Sequence, residues 1–245
     1  MTKNDSAAGL GPDYADLDPA VANDLVAANR ILADHGVLDS FGHVSVRDPR
    51  NPGRYLQMQA MAPRDVAAGD LMTFDLDSNP LNDRDRSPYR ERYIHGMIYR
   101  ARPDVHAVVH SHSLTVIPFS VTEKPLRAIF HNGHFLGQGV PVWEIRDHVG
   151  DNNNMLVLNN ELGRSLAEAL GQSSVVLMRG HGNAVAALDL KTVVFRAIYT
   201  EVNAKLQMQA AILGGPINFL NEFEMLKKQN VDRPWATWKK EVGME

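Results

Sequence analysis

Two short stretches carry side chains that can hold a metal ion. The run Val105-His106-Ala107-Val108-Val109-His110-Ser111-His112 ends in two histidines one residue apart. Along an extended chain, residues i and i+2 project from the same face, so His110 and His112 can point at one ion. Neutral imidazole is the commonest metal-ligating side chain. A second apolar run, Val175-Val176-Leu177-Met178, breaks at Gly180-His181-Gly182, a turn that bares a further imidazole. A single histidine near a strand end is more often a satisfied core or surface group. An HxH and a GHG together point instead to three protein ligands with one or two positions left open, the arrangement of a catalytic rather than a structural site.

With Glu91 upstream, in Glu91-Arg92-Tyr93-Ile94-His95, the pattern resembles the class II aldolase/adducin family in order and spacing. In that family a Glu lies on a helix before the HxH strand. The resemblance runs from about Asp18 to Gly214 and implies His110, His112 and His181 as metal ligands, with Glu91 as acid/base. It also implies a three-layer α/β/α domain around a central, mostly antiparallel sheet, assembled as a homotetramer with sites at subunit interfaces. The implied cofactor is a divalent ion, one of Zn, Mn, Co, Mg or Fe. The chemistry stays open at this point, because the family includes aldolases, epimerases, decarboxylases, an iron oxygenase and metal-free adducin.

The departures from the family pattern bear on the substrate. Where family sugar-phosphate enzymes carry Gly-Asn, this chain has Gly42-His43. Where their Thr/Ser-Gly turn binds phosphate, it has Arg64-Asp65, and the hydroxyl pair before the Glu is replaced by Tyr89-Arg90. A backbone phosphate cradle needs glycine for close approach. Arginine's planar fork matches a carboxylate instead. The expected substrate-binding set is therefore His43, Ser45, Arg64, Arg90 and His131, taking a small acidic molecule. The branch most resembled decarboxylates hydroxylated aromatic dicarboxylates of the phthalate or pyridine type. An aldolase of non-phosphorylated or acidic sugars is the alternative. A metal-free interaction module like adducin would have lost HxH or GHG, and both are intact. His131 and His134 are expected in pocket or intersubunit positions, and His95 as a packing residue one helical turn from Glu91.

The elements that must position these residues follow the hydrophobic pattern. Asp18-Pro19 reads as an N-cap and first helical position, with apolar residues at helical spacing up to Gly36. Strands are expected at Phe41–Asp48, Arg54–Met58, Met72–Leu76, Val140–Trp143, Met155–Leu158 and Ser174–Met178. Helices are expected at Ser87–Arg100, Leu114–Ser120, Glu161–Leu170, Leu190–Leu213 and Pro216–Gln229. Residues 1–17 read as a loose arm, 18–230 as one domain and Val231–Glu245 as a tail. Composition narrows the classes further. With no cysteine, any metal must be held by nitrogen and oxygen. A formal charge of −4 without a basic block argues against nucleic acid. No run is apolar enough for a membrane span and no export signal is visible, so the expected location is cytoplasmic.

Overall fold

In the computed structural model, which describes residues 10–82, 85–226 and 230–244, the first helix begins where its capping chemistry says it should. The Asp18 carboxylate accepts the Ala20 N–H at 2.9 Å, and Pro19 takes the first position of α1 (Pro19–Asp34). One donor that the helix cannot satisfy itself is thereby paired. Seven strands follow: β1 (His43–Arg47), β2 (Arg54–Met58), β3 (Leu71–Asp75), β4 (Ala107–Ser111), β5 (Val142–Trp143), β6 (Val175–Met178) and β7 (Gly182–Ala187). They form one sheet in the order β3-β2-β1-β4-β7-β6-β5, antiparallel throughout except for β5 against β6. The helices after α1 are α2 (Tyr93–Ala101), α3 (Ile117–Ser120), α4 (Arg146–Val149), α5 (Asn160–Leu170), α6 (Leu190–Leu213), α7 (Glu222–Met225) and α8 (Asp232–Glu241).

The period of two along each strand divides the core between the two faces of the sheet. Ala107, Val109, Val185 and Ala187 pack with residues of α1, α6 and α8, whereas Val108, Ala184 and Ala186 pack with residues of α2 and α5. This is the expected three-layer α/β/α arrangement. No described helix is long and apolar enough to cross a membrane.

Several elements differ from expectation, each for a local reason. Met155–Leu158 is a loop rather than a strand: Met155 has φ +62, and the Asn153 and Asn154 side chains accept the N–H groups of Met155 and Leu156. Those turns remove the donors a ladder would use. The helix expected from Ser87 starts only at Tyr93, so Glu91 sits in the turn leading into α2 rather than on it. Within 216–229 only α7 is helical among the described residues, and 227–229 lie outside them. β7 was not anticipated, because Gly182 to Ala187 is small and lacks the β-branched signature. The segment expected as a tail is largely α8, whose Trp235 and Trp238 are buried in the α1/α6 core. Of the N-terminal arm, residues 1–9 lie outside the described residues, while Tyr14 and Leu17 are buried.

Candidate active site

The β6–β7 hairpin turns through Arg179, Gly180 and His181, closed by the His181 N–H to Met178 O bond at 3.0 Å. Gly180 has φ +64, a region where a side chain is strained. Gly182 is needed for a different reason: a Cβ there would lie 2.1 Å from the carbonyl oxygen of Ser111. The pair of glycines lets β7 lie directly against the end of β4, which brings His181 beside His110 and His112. One ligand atom from each of Glu91, His110, His112 and His181 falls within 4.8 Å of the others.

The tautomers of the three imidazoles follow from their outer partners. Nδ1 of His110 faces the Asn183 carbonyl at 3.1 Å, Nδ1 of His181 the Met155 carbonyl at 2.8 Å, and Nδ1 of His112 the Asp39 carboxylate at 3.0 Å. Each partner accepts, so each Nδ1 carries the proton and each Nε2 presents a lone pair. The Nε2 atoms of His112 and His181 stand 3.1 Å apart, and Nε2 of His110 is buried with no hydrogen-bond partner among the described residues. Lone pairs converging in this way repel one another unless a cation lies among them. The donor set thus fits a divalent ion held by nitrogen, with a carboxylate at its edge.

Glu91 closes the cluster. Its Oε1 accepts the main-chain N–H of Val157 at 2.9 Å, and its Oε2 lies 3.4 Å from His181 Nε2 and 3.7 Å from His110 Nε2. Burial works against ionisation of Glu91, whereas positive charge at the facing His110 and His181 nitrogens, as a proton or a cation there supplies, works for it and holds the carboxyl well below the usual carboxylate range. Burial pushes His110 in the direction of neutrality, and His43 and His95 much further, with neighbouring imidazoles adding to the effect.

Beside the cluster lies a cavity of about 520 Å³ lined by Ser40, Phe41, His43, Ala60, Met61, Ala62, Tyr89, Arg90, Glu91, His112 and Leu156. Two members of the expected substrate set, His43 and Arg90, line it. Ser45 does not: it is fully buried behind His43, bonded to His95 and Tyr99. Arg64 is also elsewhere, exposed, 3.5 Å from Asp34 and donating to the Ala33 carbonyl. The C-terminal end of α1 attracts a cation there, by its dipole and its unpaired carbonyls. His131 and His134 sit in the turn His131–Leu136 against α6 and do not line the cavity.

The family described as Class II Aldolase and Adducin N-terminal domain matches residues 23–208. The chain belongs to this family. It is 35% identical over 244 residues to "Decarboxylase tropJ" of Talaromyces stipitatus, covering 89% of this chain and 92% of that protein. It is 29% identical over 253 residues to a 3,4-dihydroxyphthalate decarboxylase of Arthrobacter keyseri, covering 96% and 98%. Among solved structures, an aldolase II superfamily protein from Pseudomonas syringae superposes with TM-score 0.77 at 21% identity, covering 95% of this chain and 96% of that one, which speaks to the fold. The His/Glu cluster is typical of the metal-dependent members of the family.

Sequence reasoning missed the partners that orient the three clustered imidazoles. Asp39 is the clearest: its Oδ1 accepts the N–H groups of Phe41 and Gly42, leaving Oδ2 for His112. Its signal was an Asp two residues before a Phe-Gly turn, the pattern of an Asx turn. Met155 and Val157 act through main-chain atoms, which no side-chain motif records. Asp39→Asn should weaken metal binding by about 10- to 100-fold without unfolding the protein. Competition with a chelator measures this, and an unchanged affinity would mean that Asp39 does not orient His112.

Proposed function

We propose that this protein is a divalent-metal-dependent carboxy-lyase acting on a hydroxylated aromatic dicarboxylate. The observation that carries the reading is the cavity wall: among the described residues Arg90 is its only Lys or Arg, beside the apolar groups Phe41, Ala60, Met61, Ala62 and Leu156, and it opens beside Glu91 and His112. Such walls suit a flat ring, and an arginine fork suits a carboxylate on it. The names of the relatives agree with this chemistry.

A metal held by His110, His112 and His181 supplies a Lewis acid for the oxyanion that decarboxylation must stabilise. Arg90 holds the carboxylate that is not lost. Glu91, ionised at the start, takes the proton of the ring hydroxyl and delivers it to the ring carbon bearing the departing carboxylate. The bond to that carboxylate then breaks, carbon dioxide leaves, and the bonding electrons restore the aromatic ring as a phenolate. Solvent returns one proton to that oxygen, so the net reaction consumes one proton and releases one carbon dioxide. The main-chain N–H of Val157 fixes Oε1 so that Oε2 is the oxygen facing the chemistry.

Carbon dioxide release from 3,4-dihydroxyphthalate by metal-loaded protein tests the reading. Formation of an aldehyde from an acidic sugar, without carbon dioxide from aromatic diacids, would replace it with an aldolase. Arg90→Ala should lower kcat/KM by about 10- to 200-fold, the equivalent of a lost charge-assisted bond of about 1.5–3 kcal/mol. Arg90→Lys should recover only part of this, and Arg64→Ala should change little.

A homotetramer with sites at subunit interfaces is part of the proposal. Phe41 on the cavity rim is 72% exposed and Leu114, two residues beyond His112, is 83% exposed, which leaves an apolar margin for another subunit to cover. Light scattering on the purified protein checks the assembly.

A further inference from the structure

Behind the cavity wall runs a chain of buried polar groups that metal binding does not use. Tyr99 Oη lies 2.8 Å from Ser45 Oγ, Ser45 Oγ lies 2.6 Å from His95 Nδ1, and His95 Nε2 lies 2.7 Å from His43 Nδ1. All four residues are buried, none more than 2% exposed. The direction of the protons along this chain is set at its inner end. Among the described residues Tyr99 Oη meets Ser45 Oγ and the main-chain N–H of Val108, which can only donate, so Ser45 Oγ is the one acceptor for the phenolic proton. If Ser45 donated to it, the phenolic proton would be left without an acceptor in a dry site, the costly kind of unmade bond. Tyr99 therefore donates to Ser45.

The rest follows link by link. Ser45 has spent one lone pair on Tyr99, so its own proton goes to its remaining partner, His95 Nδ1. That nitrogen is then an acceptor, so His95 carries its proton on Nε2 and donates it to His43 Nδ1. Gln57 Nε2, 3.4 Å away, faces the same His43 atom as a second, longer contact of the same polarity. His43 Nδ1 is thus an acceptor and carries no proton. Among the described residues its Nε2 has no hydrogen-bond partner, it is not one of the fully enclosed unpaired atoms, and the residue lines the cavity.

We infer that Tyr99, Ser45 and His95 hold His43 as a neutral imidazole whose Nε2–H faces the cavity, a fixed donor for an anionic substrate oxygen and not a base. The inference rests on the reading of the cavity as the substrate site. It gives neighbouring histidines opposite tautomers: His110, paired with His43 across β1 and β4, turns a lone pair to the site, whereas His43 turns a proton to it. His43 binds substrate; the other three are positioning residues.

Neutron diffraction from crystals of the metal-loaded protein in heavy water reads the arrangement directly. A deuteron on His43 Nε2 with none on Nδ1 is expected, and a deuteron on His43 Nδ1 would overturn the inference. Affinity for benzene-1,2-dicarboxylate as a competitive ligand gives the second readout, with metal content measured in parallel. His43→Gln, which keeps an N–H donor, should stay within about threefold of wild type, whereas His43→Leu should lose about 10-fold or more. Equal losses in both, with metal retained, would make His43 a steric wall and sink the donor role. His95→Gln can accept from Ser45 and donate to His43 as the imidazole does, and should retain affinity. His95→Glu accepts at both ends, reverses the His43 tautomer and should lose affinity by a similar factor. A purely structural His95 would not distinguish donor from acceptor in this way. If wild type fails to bind the dicarboxylate at all, the proposed substrate class falls, and the deuteron positions still decide the relay.

Discussion

Alanine in place of His110 is expected to yield a folded protein that gives up its metal on dialysis and turns over at about a thousandth of the wild-type rate or less, the loss of several kcal/mol of Lewis-acid stabilisation. His110 is the most enclosed of the three imidazoles, 0% exposed, and its Nε2 has no hydrogen-bond partner to compensate for burial. A nitrogen left bare in the interior is costly unless something fills its lone pair. Removing the side chain deletes one ligand and leaves His112 and His181, whose Nε2 atoms at 3.1 Å can still grip an ion weakly. Elemental analysis after dialysis, with circular dichroism for the fold, reads the outcome. Full metal occupancy in the variant would mean that the ligand set has been misassigned.

Glu91→Gln is expected to lower kcat by about 100-fold or more, the usual scale for a lost general acid/base. The substitution preserves shape, and the amide oxygen can still accept the Val157 N–H that Oε1 accepts in the wild type. What disappears is the charge and the proton-carrying capacity of the second oxygen, which lies 3.4 Å and 3.7 Å from two imidazole nitrogens. Because that oxygen is so close to the ligand cluster, the metal content of the variant is the deciding measurement. Metal retained with turnover lost identifies a proton carrier. Metal lost together with turnover identifies a fourth ligand, and the proton route through Glu91 would have to be abandoned. Unchanged kinetics would reduce the residue to a packing role.

The parts of the site legible in the sequence are those in which side-chain type and spacing carry the information. The strand period put His110 and His112 on one face and the glycines marked His181 as a bared imidazole, while the family resemblance joined the three, which the structure brings together. Arg64 and Arg90 looked alike in the sequence, as two arginines replacing two phosphate-binding elements, yet one lines the cavity and the other is bound at the end of α1. Nothing local separates them, because the difference lies in what each meets in the folded chain: the C-terminal end of α1 for Arg64, the cavity beside Glu91 for Arg90. The loop at Met155–Val157 reads as a strand by composition and becomes a loop through asparagine turns, and its contribution to His181 and Glu91 is made with a main-chain carbonyl and a main-chain N–H. Ser45 was expected to touch substrate and instead supports a residue that lines the cavity. Its strand and face were readable, but not how deep along the inward direction it would lie.

The imidazole cluster and most of the cavity wall come from different parts of the chain. The imidazoles are delivered by the end of β4 and the β6–β7 turn, locked together where Gly182 lets two backbones touch, whereas the wall is made by residues 40–43, 60–62 and 89–91 and by Leu156. His112 and Glu91 belong to both sets, and Asp39 ties Phe41 and Gly42 to His112, but Ala60, Met61, Ala62 and Arg90 make no hydrogen bond to the three imidazoles. Lineages built on this plan can therefore drift from one acid, sugar or ring to another by altering that part of the wall while the imidazole cluster is kept. Such an arrangement makes substrate preference cheap to change over evolutionary time and the ion expensive to lose. On this view, sequence divergence between relatives of different specificity should concentrate in those wall segments and spare the two glycines of the hairpin.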